Sequence, residues 1–227
     1  MSLINETLGF DVDKIKQGSS EWEKARLGVI TASRFHDIIK PGRKKGSYSE
    51  ARRSYMLELI AEVCTGKSKY ISTSSGPTAW GHEHEEFARE AYEAETFLVV
   101  DEMPIIYKSD SMRCAASPDG IIGLSKGLEI KSPYTSSVHI DTILTGKIKP
   151  EYITQMQYSM WVTGFDSWDF CSYDPRMKGD SSRRLHIINI ERDEEIIKTF
   201  DEEVDKFILD MDVMLHKLGY EYGMQWG

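Results

Sequence analysis

Three charged side chains near the middle of the sequence have the types that phosphodiester chemistry uses. They are Asp119 in "SPDG", and Glu129 and Lys131 in "GLEIKSP". Glu129 and Lys131 stand two apart, so on a strand they project to one face while Ile130, with Leu128, turns to the other. From that spacing alone the pair also reads as an exposed ion pair of little weight. Asp119 shifts the balance. It lies in the turn that opens the preceding strand, ten residues before Glu129. A hairpin of that length folds the two carboxylates back to one end of a sheet. Carboxylates so placed repel unless they share a proton or a cation. A hard divalent ion such as Mg2+ takes oxygen ligands of this sort, lowers the pKa of a bound water and polarises a phosphoryl oxygen. A lysine beside it can orient or deprotonate an attacking water, or stabilise charge on phosphate.

A third carboxylate comes from "WGHEHEE". On a helix Glu85 shares a face with Ala88 and Tyr92, where an unpartnered acid is costly and a metal or water link removes the cost. The competing reading of this stretch is a zinc protease helix. It fails on spacing: the second His must follow the first by four, and that position holds Glu86.

The elements that must carry these residues are legible from pattern. "SEWEKARLG" reads as a short helix, followed by a second that starts near Thr31 or Ser33 as N-cap. A helix over about 49–65 ends at Gly66, "YISTSSGPT" is a loop, and "AWGHEHEEFAREAYEAE" is helical. Strands follow at "FLVVDEMPIIYKS", "MRCAASPDG", "GIIGLS" and "GLEIKSP". Then come helices at "SSVHIDTILTG" and "PEYITQMQYSMWVTG", the latter with Pro150 in its first turn, and strands at "SWDFCSYD" and "LHIINIE". Ile196, Ile197, Phe200, Val204, Phe207, Ile208, Met211, Met214, Leu215 and Leu218 stripe a long last helix. No repeat or linker divides the chain, so one α/β domain over residues 1–227 is expected, with a mixed central sheet flanked by helices.

Composition limits the function classes. The chain has 227 residues, 40% hydrophobic and 29% charged, which describes an ordinary soluble globular protein. No apolar run approaches a membrane span, and "MSLINETLGFDVDK" lacks a signal-peptide pattern, so neither a membrane partner nor secretion is expected. Three scattered cysteines (Cys64, Cys114, Cys171) suit a reducing cytoplasm and build no metal cluster. The net charge of −9 disfavours nucleic acid at first sight. However, residues 189–212 alone carry −7, and "KPGRKKGSYSEARR" (40–53) sets six basic residues against one Glu. A second basic cluster is "RMKGDSSRR" (176–184). Such runs are commonly just solvated faces.

The chain resembles the lambda-type, YqaJ-like alkaline exonucleases of the PD-(D/E)xK nuclease superfamily. Pro118-Asp119 with Glu129-Ile130-Lys131 is similar to the superfamily signature. "RLGVITAS", "EVCTG", "AWG", "PIIY", "SMR", "SPDG", "QYSMWVT", "YDPRMK" and "IERDE" resemble the family in order and spacing, from about Trp22 to Trp226. The resemblance implies a restriction-endonuclease-like fold. It implies a 5′→3′ exonuclease that degrades the 5′-phosphorylated strand of linear double-stranded DNA to mononucleotides, leaving a 3′ single strand. It further implies Mg2+, with Mn2+ able to substitute and two ions expected, a homotrimer ring, and a phage single-strand annealing protein as partner in the cytoplasm of an infected or prophage-bearing cell.

By the resemblance, Asp119, Glu129 and the backbone carbonyl of Ile130 bind metal, and Lys131 is the catalytic lysine. Glu85 serves a second metal or its water, and Gln157 lies near the active site, where a core-satisfied glutamine is an equal reading. Arg26, Ser33 and Ser117 match the 5′-phosphate pocket; an N-cap for Ser33, an ion pair with Glu21 or Glu23 for Arg26 and a turn hydroxyl for Ser117 are the plain alternatives. Lys40, Arg43, Lys44 and Lys45 are placed to track duplex DNA. The chain departs from the family in lacking an evident apolar wedge for strand separation, a role left to Tyr48 or Met56. A related nuclease of other polarity, an endonuclease, and an inactive DNA-end-binding protein remain alternatives. A Cas4-like variant is disfavoured by the absence of a four-cysteine set.

Overall fold

The apolar stripe of the last helix is the most regular feature of the sequence. A computed structural model, which describes residues 2–68 and 76–227, uses it to close the main core. In chain order the helices are α1 (Leu3–Leu8), α2 (Ser20–Ala25), α3 (Phe35–Ile39), α4 (Glu50–Thr65), α5 (Gly76–Thr96), α6 (Ser136–Thr145), α7 (Pro150–Thr163) and α8 (Glu194–Leu218). The strands are β1 (Ile30–Thr31), β2 (Ile106–Tyr107), β3 (Cys114–Ala116), β4 (Gly120–Ile122), β5 (Lys126–Lys131), β6 (Ser167–Tyr173) and β7 (Leu185–Glu191). Ile197, Phe200, Val204, Phe207, Met211 and Leu215 of α8 are buried with Phe35 and Ile38 of α3, Tyr55, Leu59 and Val63 of α4, and Met156, Tyr158 and Met160 of α7. Ile196 and Leu218, at the edges of the stripe, stay exposed. The acids therefore form the outer face of a helix packed into its own subunit.

The expected mixed sheet is present, in two pieces. β4-β5-β6-β7 form a four-stranded sheet in which only the β5–β6 pair is parallel. β1-β3-β2 form a separate three-stranded sheet, with β1 parallel and β2 antiparallel to β3. The chain passes from one sheet to the other through Ser117-Pro118-Asp119. The strand read over 97–109 shrinks to β2 and a single bridge between Asp101 and Ile121, because Pro104 cannot donate to a ladder. The second short helix also differs. Ile30–Thr31 is a strand, residues 32–34 form a tight 3-10 turn, and Thr31 makes no cap hydrogen bond. The N-cap reading of Ser33 fails for the same reason, since it lies inside that turn. Of the loop read over 70–78, residues 70–75 fall outside the described residues, and Gly76–Thr78 already belong to α5.

Two close approaches lock β5 in place. A Cβ on Gly127 would meet the ring of buried Trp168, its partner in the β5–β6 register, and a Cβ on Gly120 would meet Val100. Ala88 and Tyr92 of α5 cluster with Leu128 and Ile130 of β5. One face of β5 thus packs on α5, while Tyr152 of α7 stacks on Phe170, the register partner of Glu129. No helix among the described residues is long and apolar enough to cross a membrane.

Candidate active site

The hairpin read in the sequence is present, with Gly120 paired to Leu128 and Ile122 to Lys126. β4 stops short of the end of β5, so β5 runs on beyond its antiparallel neighbour. Asp119 fills the gap. Its backbone N–H donates to the Leu128 carbonyl at 3.2 Å, and its Oδ2 accepts the Ile130 N–H at 2.6 Å. The carboxylate thereby takes the place of a strand carbonyl. The N–H and C=O of one strand residue point to the same side, so the Ile130 carbonyl also faces Asp119. A carboxylate and a backbone oxygen are brought together here by strand geometry alone.

Glu129 projects from the opposite face to Leu128 and Ile130, and only 1% of it is exposed. Its Oε1 accepts from Lys131 Nζ and from Gln155 Nε2 of α7 at 2.7 Å. Lys131 Nζ also lies 5.1 Å from the Tyr152 ring centroid. Burial, reinforced by Asp119, pushes the Glu129 carboxyl up to about 7 although Lys131 opposes the shift. Burial likewise raises Asp119, against the pull of Lys131, the Ile130 N–H and Arg89. Burial works against the Lys131 ammonium, but Glu129 and Asp119 outweigh it and hold that group above an ordinary lysine.

Glu85 arrives on α5, one turn before Ala88. Burial and the nearby Asp119 raise its carboxyl to about 7. Arg89, one turn further on, pairs with Glu85 at 3.1 Å and donates to the Asp119 carbonyl at 3.2 Å and to Glu102 at 3.1 Å. Among the described residues no three His, Cys, Asp or Glu side chains converge into a ready-made cage. The donors that do converge are all oxygens. The buried Glu129 carboxylate, the half-buried Asp119 carboxylate and a backbone carbonyl fit a hard cation whose remaining positions go to water and phosphate, and a cation would offset the burial that holds both carboxyl pKa values up.

Beside this cluster, the ends of β1 and β3 bring together residues expected to bind phosphate. β1 and β3 run parallel with Thr31 opposite Ala115. Ser33 and Ser117, each two residues beyond that pair, therefore leave the sheet at the same end. Arg26 donates from Nη1 to the Ser117 hydroxyl at 2.9 Å, and its guanidinium stacks 4.2 Å from the Trp22 ring. The ion pair with Glu21 or Glu23 is replaced by this hydroxyl contact. Gln17 fixes the turn from behind by donating to the Pro118 carbonyl at 2.8 Å. Ser117, bonded to Arg26, and Asp119 thus stand two residues apart in a single bend.

A model of the YqaJ-like viral recombinase domain matches residues 21–166. Over its fold the chain is similar to an alkaline exonuclease of Laribacter hongkongensis, with a TM-score of 0.78 and 37% identity over 88% of this chain and 96% of that one. The chain belongs to the YqaJ-like viral recombinase family. A structure of the Laribacter enzyme in complex with dAMP matches equally well, with a TM-score of 0.77. ExoD of Escherichia coli strain K12 is 49% identical over 79 residues, which are 35% of this chain and 87% of that protein. A phage-related exonuclease of Haemophilus somnus 129PT, at 17% identity and a TM-score of 0.62, shares the fold. Together with the alkaline exonuclease likeness, membership makes the chain an exonuclease of recombination, of a kind that acts on DNA and uses divalent metal.

Not every residue expected in a YqaJ-type site is brought to it. Gln157 is 2% exposed and spends its amide elsewhere, donating to the Glu191 carbonyl at 2.8 Å and accepting from the Asp193 N–H at 2.9 Å. It ties α7 to the start of α8, while Gln155 takes the place beside Glu129. Lys40, Arg43, Lys44 and Lys45 are exposed on the loop between α3 and α4. Arg52, from the same basic run, is buried against Tyr48 and Phe207 and pairs with Glu203 and Asp210. Met56 is buried and unavailable as a wedge, whereas Tyr48 is 42% exposed. Sequence reasoning missed Gln155, Arg89 and Gln17. The i, i+4 step from Glu85 was the one available signal for Arg89.

Proposed function

We propose that this single PD-(D/E)xK domain, residues 1–227, is a Mg2+-dependent 5′→3′ exonuclease. It degrades the 5′-phosphorylated strand of linear double-stranded DNA to mononucleotides and leaves a 3′ single strand. The observation that carries the reading is the bend at 117–119, where the hydroxyl held by Arg26 and the carboxylate held by Ile130 stand two residues apart. A terminal phosphate gripped by Arg26, Ser33 and Ser117 beside the carboxylates would favour 5′→3′ polarity and release of single nucleotides, and that neighbourhood is what supports the reading.

Asp119, Glu129 and the Ile130 carbonyl would hold one ion, and Glu85 would serve a second, with Mn2+ able to replace Mg2+. Metal held by these residues would supply a water nucleophile at neutral pH and neutralise charge on the scissile phosphate. Lys131, bonded to Glu129, is placed to donate to a phosphate oxygen or to orient and deprotonate the attacking water. Gln155 holds Glu129 in place. The Laribacter enzyme's complex with dAMP matches the mononucleotide product assigned here. Lys40, Arg43, Lys44 and Lys45 follow the duplex through phosphate contacts that carry no sequence information. A homotrimer ring threaded by DNA, a phage single-strand annealing protein that receives the 3′ strand, and a cytoplasmic setting in an infected or prophage-bearing cell complete the proposal.

The test is a linear duplex labelled at each 5′ and 3′ end, with and without a 5′-phosphate and Mg2+. Mononucleotides released from the phosphorylated 5′ strand are expected. Release from the 3′ strand or nicking of closed circles would point to another nuclease, and end binding with no hydrolysis would point to an inactive end-binding protein. Light scattering at the mass of three chains is expected, and a clean monomer would contradict the ring.

A further inference from the structure

The motif "YDPRMK" takes no part in the metal or phosphate sites, yet its Asp174 and Arg176 form the most fully bonded ion pair near them. Asp174 follows the end of β6 and is 0% exposed in its side chain. Its Oδ1 accepts from the Arg176 backbone N–H at 2.9 Å and from Nε at 2.8 Å, and its Oδ2 accepts from Nη2 at 3.0 Å. The same guanidinium donates from Nη2 to the Pro133 carbonyl and from Nη1 to the Tyr134 carbonyl, each at 2.9 Å. Its plane stacks 4.4 Å from the Trp80 ring, which in turn stacks at 3.8 Å on His84.

These partners are not scattered over the surface. Lys131 is opposite Ser172 in the parallel register, so Pro133 and Asp174 lie level just beyond it. Pro133 and Tyr134 are where β5 leaves the site after Lys131, and Trp80 and His84 lie on α5 immediately before Glu85. One side chain therefore touches both arms of the site, the strand exit and the helix.

We propose that Arg176 is a positioning residue that sets Lys131 and Glu85 relative to one another for hydrolysis. The inference rests on the nuclease reading above. An exposed Asp–Arg pair contributes little, but this acid is buried. Burial alone would raise it, and the hydrogen bonds from Arg176 and Ser136 overcome that and hold it at about 2. The planar fork also matters. Nε and both Nη atoms already have acceptors within the protein, and a lysine could not reproduce two carbonyl contacts, a carboxylate fork and a ring stack together. A misplacement of about 1 Å at such a site can cost roughly a hundredfold in rate.

Arg176→Lys is the test, with Lys178→Ala of the same motif as control. Four quantities are compared with wild type: kcat and KM on a 5′-phosphorylated duplex, the salt dependence of duplex binding without metal, the thermal midpoint, and amide exchange of the metal-free protein over 132–135. For Arg176→Lys, kcat is expected to fall at least about tenfold. KM and the salt slope should be unchanged, the midpoint little moved, and exchange over 132–135 faster. Lys178→Ala should retain kcat. Wild-type kcat and exchange in Arg176→Lys would overturn the inference. So would a salt slope reduced by about one, which would make Arg176 a phosphate contact, or a loss of kcat no greater than the loss of folded protein. If the wild type releases no nucleotides, the nuclease reading fails by itself, and the exchange over 132–135 still decides the clamp.

Discussion

Asp169 and Glu129 are buried acids on neighbouring parallel strands, and they are treated in opposite ways. Asp169, on β6, accepts from Tyr92 Oη at 2.6 Å, from Asn189 Nδ2 at 2.7 Å and from Lys126 Nζ at 3.2 Å on both oxygens. It lies level with Leu128 and belongs to the α5 side of the sheet. Glu129, one register step along and on the other face, has a lysine and a glutamine on one oxygen and a second acid nearby. A buried carboxylate whose lone pairs are filled by fixed donors is a structural element. One whose charge is left under-compensated is held ready for a cation. The same sheet builds both, and the difference lies in which helix covers each face.

The largest effects should come from exchanging these two roles by mutation. Lys131→Ala is expected to lower kcat by roughly a thousandfold with duplex-end affinity nearly intact; an equal loss of affinity would make Lys131 chiefly a DNA contact. Glu129→Gln should abolish turnover as well, but without loss of thermal midpoint at about pH 8, because its amide oxygen still accepts from Lys131 and Gln155. Asp169→Asn should do the reverse. It sets an amide donor against Tyr92 or against Lys126 and Asn189, costing about 3 kcal/mol or more, or roughly 6–12 °C, with kcat per folded molecule retained. Equal destabilisation by the two neutral substitutions would remove the distinction.

The next effect is in pH. Glu129 and Glu85 have folded values near 7 against about 4.5 unfolded. The folded state therefore binds more protons across that window, and stability of the metal-free protein falls as pH rises through it. Metal binds the deprotonated acids and should restore what is lost. Millimolar Mg2+ should thus raise the thermal midpoint by several degrees at about pH 8 and by little at about pH 5. An identical Mg2+ shift at both would show that these carboxylates are not where the ion binds.

Much of this arrangement was legible because it is local. Turn residues and two-residue alternation give the hairpin, and Gly66, Pro150 and the stripe of α8 give helix ends and faces. What was not legible depends on helix phase and on which element covers which strand. Gln155 and Gln157 lie two apart on α7 and point to different sides, and only the packing of α7 across β5 decides that the first reaches Glu129. Arg52 reads as one more charge in a basic loop until α8 covers it. Asp169 reads as a polar residue in an ordinary strand, since nothing near it in sequence announces Tyr92, Lys126 and Asn189. Arg176 is similar, with its partners on three segments far apart in the chain.

The smallest expected effect gives the sharpest comparison, because each acid has one side-chain amide donor at the same 2.7 Å. Gln155 supports Glu129 and Asn189 supports Asp169. Each amide bond to a charged acceptor has a similar strength, about 1.5–3 kcal/mol, so any divergence between the two deletions reflects what the acid is for. Gln155→Ala should lower kcat several-fold and leave the thermal midpoint within a few degrees, since Glu129 keeps Lys131 and gains room for water. Asn189→Ala should cost about 1–2 kcal/mol of stability, softened by the exposure of Asn189 at the sheet surface, and leave kcat as it is. Gln157→Ala belongs with Asn189→Ala on this account, because its amide ties α7 to the start of α8. A kcat loss in Gln157→Ala as large as that in Gln155→Ala would mean that α7 presents a different face to the carboxylates during turnover. The assignment of Gln155 to Glu129 would then fall with it.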